Sequence, residues 1–171
     1  MASPAWLTLS GDEDVAEGAT SEESIGGQSV ETHEDEIQVL GIEQTIYVPS
    51  NPQSGQQTGA AITKGLTIIK LFDKSSPLLL QAMTHGEVFE TGELKYYRTG
   101  VSGGEEHYFT QTMEGVVITD IQAYMPNCLD PKNANLTHME QITLQYTKST
   151  WSHEISGTEG NFEVGIFPAE G

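Results

Sequence analysis

Four consecutive residues, His33-Glu34-Asp35-Glu36, carry side chains that can each bind a metal ion. The zinc-protease motif needs a second histidine four residues after the first, and that position is Ile37. Adjacent side chains of a strand point to opposite faces, so four neighbours cannot close around one ion. The pattern therefore indicates the charged entrance of a strand, and no metal site is predicted.

The other candidates for chemistry have local explanations. Asp12-Glu13-Asp14 resembles the start of a calcium-binding loop, but Glu17 stands where such a loop has its glycine. The other four histidines, His85, His107, His138 and His153, are interpreted as local hydrogen-bonding residues. Cys128 is the single cysteine, so no intrachain disulfide forms, and no basic neighbour activates its thiol. We therefore predict no catalytic residue, no cofactor and no enzyme activity.

The elements that must position these residues are mostly β-strands. Apolar and β-branched patterns predict strands over residues 5–9, 36–48, 62–72, 88–98, 108–124 and 139–151. One helix is predicted from Ser76 to His85, with Ser76 as its cap and Gly86 ending it in the left-handed conformation. We expect one domain over residues 1–171 with a mainly β fold, a small antiparallel β-barrel of two sheets with one flanking α-helix.

Three segments are expected to lie outside the main strands. Residues 11–32 are acidic and poor in apolar side chains, which favours a long loop or a weak hairpin at Gly26-Gly27. Residues 49–60 are rich in Ser, Asn, Pro, Gln and Gly, which predicts a protruding loop. Residues 157–171 are Gly-rich and acidic but include Phe162, so we expect a C-terminal tail docked on the domain.

The segment from Met139 to Trp151 shows the clearest alternation in the chain. Its apolar side chains face one way, and the polar ones face the other. The apolar row is Ile142, Leu144 and Tyr146, and the polar row is Gln141, Thr143, Gln145 and Thr147. One face of this strand is therefore expected in the core and the other in contact with water.

The charge of the chain restricts its partners. Seven Lys and Arg stand against 25 Asp and Glu, for a net charge of −18, and residues 1–63 contain no Lys or Arg. Such a surface repels nucleic acid and anionic membranes, and it opposes self-association unless salt screens it. The N-terminus lacks the basic and apolar regions of a secretory signal, and no apolar run is long enough to insert into a membrane.

Six short phrases, in this order and spacing, resemble the haemolysin-coregulated protein (Hcp) family, the tube protein of the bacterial type VI secretion system. The resemblance covers roughly residues 30 to 160, and it lies in the ordered set because no single phrase is an active-site signature. The phrases are His33-Glu34-Asp35-Glu36, Pro49-Ser50-Asn51-Pro52-Gln53-Ser54-Gly55, Leu94-Lys95-Tyr96-Tyr97-Arg98-Thr99, Met125-Pro126-Asn127-Cys128-Leu129-Asp130-Pro131, Trp151-Ser152-His153 and Gly157-Thr158.

This resemblance implies a structural role. Hcp-like proteins form six-membered rings that stack into a tube, carry a spike of the valine–glycine repeat family, and leave the cell when a contractile sheath shortens. The resemblance implies four kinds of partner, which are further copies of this chain, the spike, the sheath and secreted effectors. It also implies a cytoplasmic protein that is later secreted without a cleaved signal peptide. The segment beyond Trp151 is too short for a fused toxin domain.

Two candidate surfaces follow from the resemblance. The first is a ring-stacking loop, consisting of Ser50, Asn51, Pro52, Gln53, Ser54, Gly55, Gln56 and Gln57. The second is a lumen face made by Gln141, Thr143, Gln145 and Thr147, since a tube lumen needs a polar face without strong charge. Two alternatives remain open, a ring that mainly chaperones an effector and an enzyme with an unrecognised site.

Overall fold

The structure, a computed structural model, describes residues 3–164. Nine strands dominate this part of the chain. They are β1 Ala5–Ser10, β2 Ile37–Val39, β3 Gly41–Tyr47, β4 Ile62–Leu71, β5 Phe89–Thr99, β6 Glu105–Tyr124, β7 Met139–Gln145, β8 Lys148–His153 and β9 Thr158–Glu163. Two helices, α1 Glu22–Ile25 and α2 Ser75–Thr84, and three short 3-10 turns complete the described elements.

All strand pairs are antiparallel, and the long strand β6 takes part in two layers. Its first half pairs with β5 and β8 in sheet I, which has the order β2-β1-β5-β6-β8-β9. Its second half pairs with β7 in sheet II, which has the order β6-β7-β4-β3. β6 changes layer at Gly115, which has a φ of 63° and lies so close to Thr147 that a Cβ atom would be 2.7 Å from Thr147 Oγ1.

The mainly β antiparallel fold is confirmed, but the sheet is not closed into a barrel. β2 and β3 lie at the two ends of the hydrogen-bonded order, and within residues 3–164 no ladder joins them. The single strand predicted over 36–48 divides at Leu40. Val39 pairs with Ala5 of sheet I, whereas the Leu40 N–H donates to the Ile69 carbonyl of sheet II at 2.8 Å.

Apolar side chains from both sheets and from α2 form one core between the layers. The largest fully buried apolar side chains are Trp6, Phe89, Leu7, Leu9, Ile37, Leu66, Ile68, Leu79, Leu94, Met113 and Ile142. The alternation predicted for β7 is confirmed, because Ile142, Leu144 and Tyr146 are buried. This core sets which face of each sheet is turned outward.

The predicted helix is present as α2, and Gly86 follows it with a φ of 68° as expected. Ser76 is not its cap. Its hydroxyl instead donates to Glu140 Oε1 at 2.6 Å and accepts from Lys70 Nζ at 3.1 Å. Lys70 is fully buried and also bridges Asp73 and Glu140, so the start of α2 is held to β4 and β7 by charged groups.

Residues 11–32, expected to be a long loop or a weak hairpin, form with residues 33–36 a segment that packs on the rest of the fold. They contain α1 and two 3-10 turns, and they bury Val15, Ala16 and Ala19 in the core. The expected hairpin at Gly26-Gly27 is a 3-10 turn in the structure. The apolar residues are small and few, which is why composition alone did not reveal that this segment packs on the domain.

The tail expected over 157–171 begins as a strand, because β9 pairs with β8 from Thr158 to Glu163. Phe162 is partly buried and packs against the core. The rest of the predicted tail, residues 165–171, lies outside the described residues. Within the described residues this segment is therefore a strand at the edge of sheet I.

Candidate functional surfaces

The loop of residues 48–61, between β3 and β4, is exposed from Ser50 to Gln57. Ser50 and Gln57 form an isolated bridge, and the Thr58 N–H donates to the Pro49 carbonyl at 2.8 Å. At the tip, the Asn51 carbonyl accepts from the Gly55 N–H at 2.7 Å, and Gly55 has a φ of 71°. The loop is therefore an ordered projection, held by backbone hydrogen bonds.

This projection is uncharged. No Asp, Glu, Lys or Arg occurs between Glu43 and Lys64, although the net charge of the chain is −18. Tyr47 and Ile62, which pair at its base, are both exposed. The projection thus offers an apolar base and a neutral polar tip, and two copies could approach there with little electrostatic repulsion.

The polar row predicted on β7 lies on the outward face of sheet II. Gln141, Thr143 and Gln145 are partly exposed, opposite to the buried Ile142 and Leu144. The Thr143 and Thr67 hydroxyl oxygens are 3.1 Å apart, so the row is hydrogen-bonded across to β4. The structure brings three of the four predicted residues together on one surface.

Thr147 departs from this row, because it follows the end of β7 in the kink before β8. Its N–H and its hydroxyl both donate to the Glu114 carbonyl, at 2.9 and 3.0 Å. Thr147 is exposed, but its side chain is held against the bend of β6. It therefore belongs to the layer change and not to the regular face of β7.

Sequence analysis missed the neighbours that extend this face. Thr67 and Asp120 flank Thr143 in register, and Glu43 pairs with Thr67 one strand further. The face therefore carries two carboxylates beside its polar row. The polar positions of β4 and β6 were the signal for Thr67 and Asp120, whereas Glu43 of β3 is placed beside them only by the strand pairing of the fold. We call Glu43, Thr67, Asp120, Gln141, Thr143 and Gln145 the polar face.

His33 is a buried packing residue. Its ring stacks on Trp6 at 4.1 Å between centroids, meets Tyr97 edge-on at 5.0 Å, and places Nδ1 2.9 Å from Glu36 Oε1. The charged strand entrance expected here is therefore a short 3-10 turn fastened to β1 and β5. Within residues 3–164 no group of three or more His, Cys, Asp or Glu side chains is placed to hold a metal ion.

One sequence match was passed over. Gly100-Val101-Ser102-Gly103-Gly104 has the letters of the Gly-x-Ser-x-Gly nucleophile elbow. That elbow joins a strand to a helix, whereas these residues form the exposed turn between β5 and β6. Their backbone bonds, such as Gly100 N–H to the Gly104 carbonyl at 2.7 Å, are those of a hairpin turn.

Two further side chains of potentially reactive type, His153 and Cys128, lie near the surface. His153 Nδ1 lies 3.0 Å from Ser156 Oγ and 3.2 Å from the Ser156 nitrogen, which is a local turn contact in an exposed position. Cys128 is exposed.

Among the helices of the described segment, neither length nor apolar content suffices for a membrane span.

Comparison with known proteins places this fold. The family model described as "Type VI secretion system effector, Hcp" matches residues 10–153. This chain belongs to the Hcp family. The match extends from the last residue of β1 to the end of β8 and therefore includes both the projection and the polar face.

Individual Hcp proteins are similar along nearly the whole chain. The "Major exported protein" of Pseudomonas aeruginosa is 45% identical over 163 residues, covering 94% of this chain and 95% of that protein. A crystal structure of an Hcp protein superposes with a TM-score of 0.89 at 36% identity, covering 94% of this chain and 96% of that one. The secreted protein Hcp3 from Pseudomonas aeruginosa gives a TM-score of 0.79 at 36% identity, with 95% and 98% coverage.

Proposed function

We propose that this protein is the subunit of the inner tube of a type VI secretion system. Six copies form a ring, the rings stack into a tube, and contraction of a surrounding sheath expels the tube with a valine–glycine repeat spike at its tip. The observation that carries this proposal is the Hcp family match over residues 10–153, which covers the seven strands from β2 to β8 in full.

Two features of the structure support assembly. A chain with a net charge of −18 repels its own copies, so stable contacts require surfaces without charge. The projection at Ser50–Gln57 is such a surface, and we propose that it contacts the next ring. We propose that Gln141, Thr143, Gln145 and Thr147 face the lumen, together with the rest of the polar face. The outward position of the β7 row supports this, since these side chains are not buried.

The same polar face supports effector transport. A lumen lined mainly by amides and hydroxyls, with the carboxylates of Glu43 and Asp120 beside them, can hydrogen-bond a folded passenger without holding it by apolar contact. We propose that secreted effectors are carried in the ring, and a ring that mainly chaperones an effector would use the same face. Before contraction the protein is cytoplasmic, and it is then exported without a cleaved signal peptide. The name of the Pseudomonas relative, "Major exported protein", supports export.

The enzyme alternative has weaker support from the geometry. His33, the histidine of the acidic phrase, is covered by Trp6 and Tyr97, where a substrate has no access. A hydrolase assay on the intact protein, with His33→Ala as control, tests this alternative. Activity that disappears in His33→Ala would revive the enzyme interpretation.

Ring formation is tested by the mass of the particle in solution, measured by light scattering after size-exclusion chromatography at two salt concentrations. Six copies of the 18.6 kDa chain give a mass of about 112 kDa. Because screening weakens repulsion between copies, the ring should be more stable at the higher salt concentration. A monomer at both salt concentrations and at high protein concentration would contradict the proposal.

Stacking is tested separately from ring formation. Residues 51–56 are replaced by Asn-Gly, a two-residue turn that preserves the Ser50–Gln57 pairing. We expect rings of unchanged mass and thermal stability, but no tubes in electron micrographs and no export. Val101→Ser, in the other exposed turn, is the matched control. Tubes of normal length from the shortened variant would contradict the stacking role of the loop.

A further inference from the structure

An apolar groove runs along β3, between this strand and the facing strands of sheet I. It joins two recesses of about 560 and 410 Å³, which share Trp151 as a common wall. We call it the aromatic groove and define it by Ile42, Ile46, Tyr96, Phe109, Trp151 and Phe162. Recesses of this size are typical of binding sites.

The aromatic groove is preformed. Phe109 meets Tyr96 and Trp151 edge-on, with ring centroids 5.6 and 6.1 Å apart. In the same recess, the side-chain amides of Gln44 and Gln111 exchange two hydrogen bonds, of 2.9 and 3.2 Å. Burial raises the pKa of the Tyr96 phenol well above its usual range, so this side chain stays neutral. An occupant would therefore meet a rigid surface.

The groove is also nearly uncharged. Among the described residues that line its two recesses, Glu43 is the one charged residue. Trp151 nevertheless remains 42% exposed, although a half-exposed tryptophan is an anchor that protein contacts usually cover. On a chain with a net charge of −18, this is a place where another copy can approach with little repulsion.

A second exposed loop of the same chain is apolar and could fill this groove. The loop of residues 125–136, between β6 and β7, exposes Met125, Leu129 and Leu136. Leu129 is 87% exposed, yet the loop around it is braced. The Asn127 carboxamide oxygen accepts from the Leu129 N–H at 3.0 Å, and the Asn133 side-chain amide donates to the Asn127 carbonyl at 3.0 Å. A braced loop loses little conformational entropy on docking.

The charges of the two surfaces are compatible. Residues 125–136 contain Asp130 and Lys132 and therefore have no net charge. The Asp130 carboxylate is partly buried and accepts from the Lys132 backbone N–H at 3.0 Å, whereas the Lys132 side chain is exposed. The Lys132 ammonium complements Glu43, which lies where the aromatic groove meets the polar face.

We propose that the loop of residues 125–136, called here the Leu129 loop, docks from one copy into the aromatic groove of the next copy. The loop and the groove are different surfaces, so the contact is heterologous and repeats from copy to copy around a closed ring. This inference rests on the proposed ring, and it names the side-by-side contact within that ring. Leu129 is the apolar anchor, and Trp151 and Ile42 form its pocket.

The test places a carboxylate on each side of the contact. Leu129→Asp changes the loop, and Ile42→Asp changes the groove. The matched controls are Val101→Asp and Val88→Asp, which put the same charge on exposed apolar positions outside both surfaces. For Leu129→Asp and for Ile42→Asp, we expect the dissociation constant of ring assembly to rise by more than about 30-fold. The controls should assemble like the unsubstituted protein.

The fluorescence emission of Trp151 tests whether the Leu129 loop covers the aromatic groove. The chain has two tryptophans, and Trp6 is buried within the subunit itself. If the Leu129 loop covers Trp151, the emission of assembled rings lies at shorter wavelength than the emission of monomeric Leu129→Asp. Since Leu129 is exposed in the subunit, its substitution should leave the thermal unfolding of the monomer unchanged.

Three results would overturn the inference. Rings of about 112 kDa formed by Leu129→Asp, as by the native chain, would show that this contact is absent while leaving the proposed ring intact. Equal loss of assembly in Val101→Asp and Val88→Asp would show that added charge alone disrupts the ring. A native protein that stays monomeric throughout would overturn this contact together with the proposed function.

Discussion

Residues 11–36 and residues 48–61 are two long described segments between strands, and they differ in what ties them to the fold. The first is acidic, yet it buries Val15, Ala16 and Ala19 and stacks His33 on Trp6. The second is uncharged, and every residue from Ser50 to Gln57 is exposed. The comparison teaches that a few small buried side chains, and not the charge of a segment, decide whether it packs or projects.

The comparison predicts that the two segments respond very differently to the same substitution. Ala19→Asp places a carboxylate in the core without a partner and should lower the free energy of unfolding by at least about 3 kcal/mol. Ser54→Asp puts the same group at the exposed tip and should change it by less than about 0.5 kcal/mol. Urea unfolding of the two variants measures both. Equal destabilisation would show that the segments are tied down alike.

A smaller effect is expected where the acidic segment meets β1. His33→Ala removes the ring that stacks on Trp6 and the contact to Glu36, and should cost about 1–3 kcal/mol of stability. Trp6 would become exposed, so its emission should move to longer wavelength. The control Glu34→Ala changes an exposed neighbour and should do neither. An unchanged Trp6 emission in His33→Ala would argue that the stack does not hold this segment.

The smallest effect is expected at alkaline pH. Burial raises the pKa of the Tyr97 phenol, and the carboxylates of Glu36 and Glu105 raise it further. The unfolded chain therefore loses this proton first, so the stability contributed by neutral Tyr97 is complete below a pH of about 10 and is lost as the pH rises.

Because Tyr97 contacts His33, loss of the Tyr97 proton should loosen residues 31–36 before residues 48–61. Limited proteolysis at increasing pH measures the order of cleavage. Tyr97→Phe, which cannot ionise, should delay cleavage of residues 31–36. The same cleavage order and pH in Tyr97→Phe would contradict the role of this phenol.

Local patterns predicted the parts of the fold that depend on neighbouring residues. The alternation of β7, the helix α2 and the end of α2 at Gly86 all follow from short-range spacing. The division of the predicted strand at Leu40 did not follow, because it depends on Ile69, a partner 29 positions away. Ser76 was mistaken for a cap because its true partners, Lys70 and Glu140, come from other strands.

The same distinction applies to the candidate surfaces. The exposed loop and the polar row of β7 lie in continuous sequence, so composition and alternation were enough to locate them. The aromatic groove combines side chains from β3, β5, β6, β8 and β9, and no local pattern connects Ile42 with Trp151. The proposed rings and tubes were predicted from the family resemblance, because the contacts within one chain do not determine how copies assemble.

Electron cryomicroscopy of the purified particle tests the central claim most directly. The account predicts a six-membered ring whose hole is lined by the polar face of sheet II. The loops of Ser50–Gln57 should project toward the next ring. The account would be contradicted by particles of single-subunit size, or by a ring whose hole is lined by α2 or by sheet I.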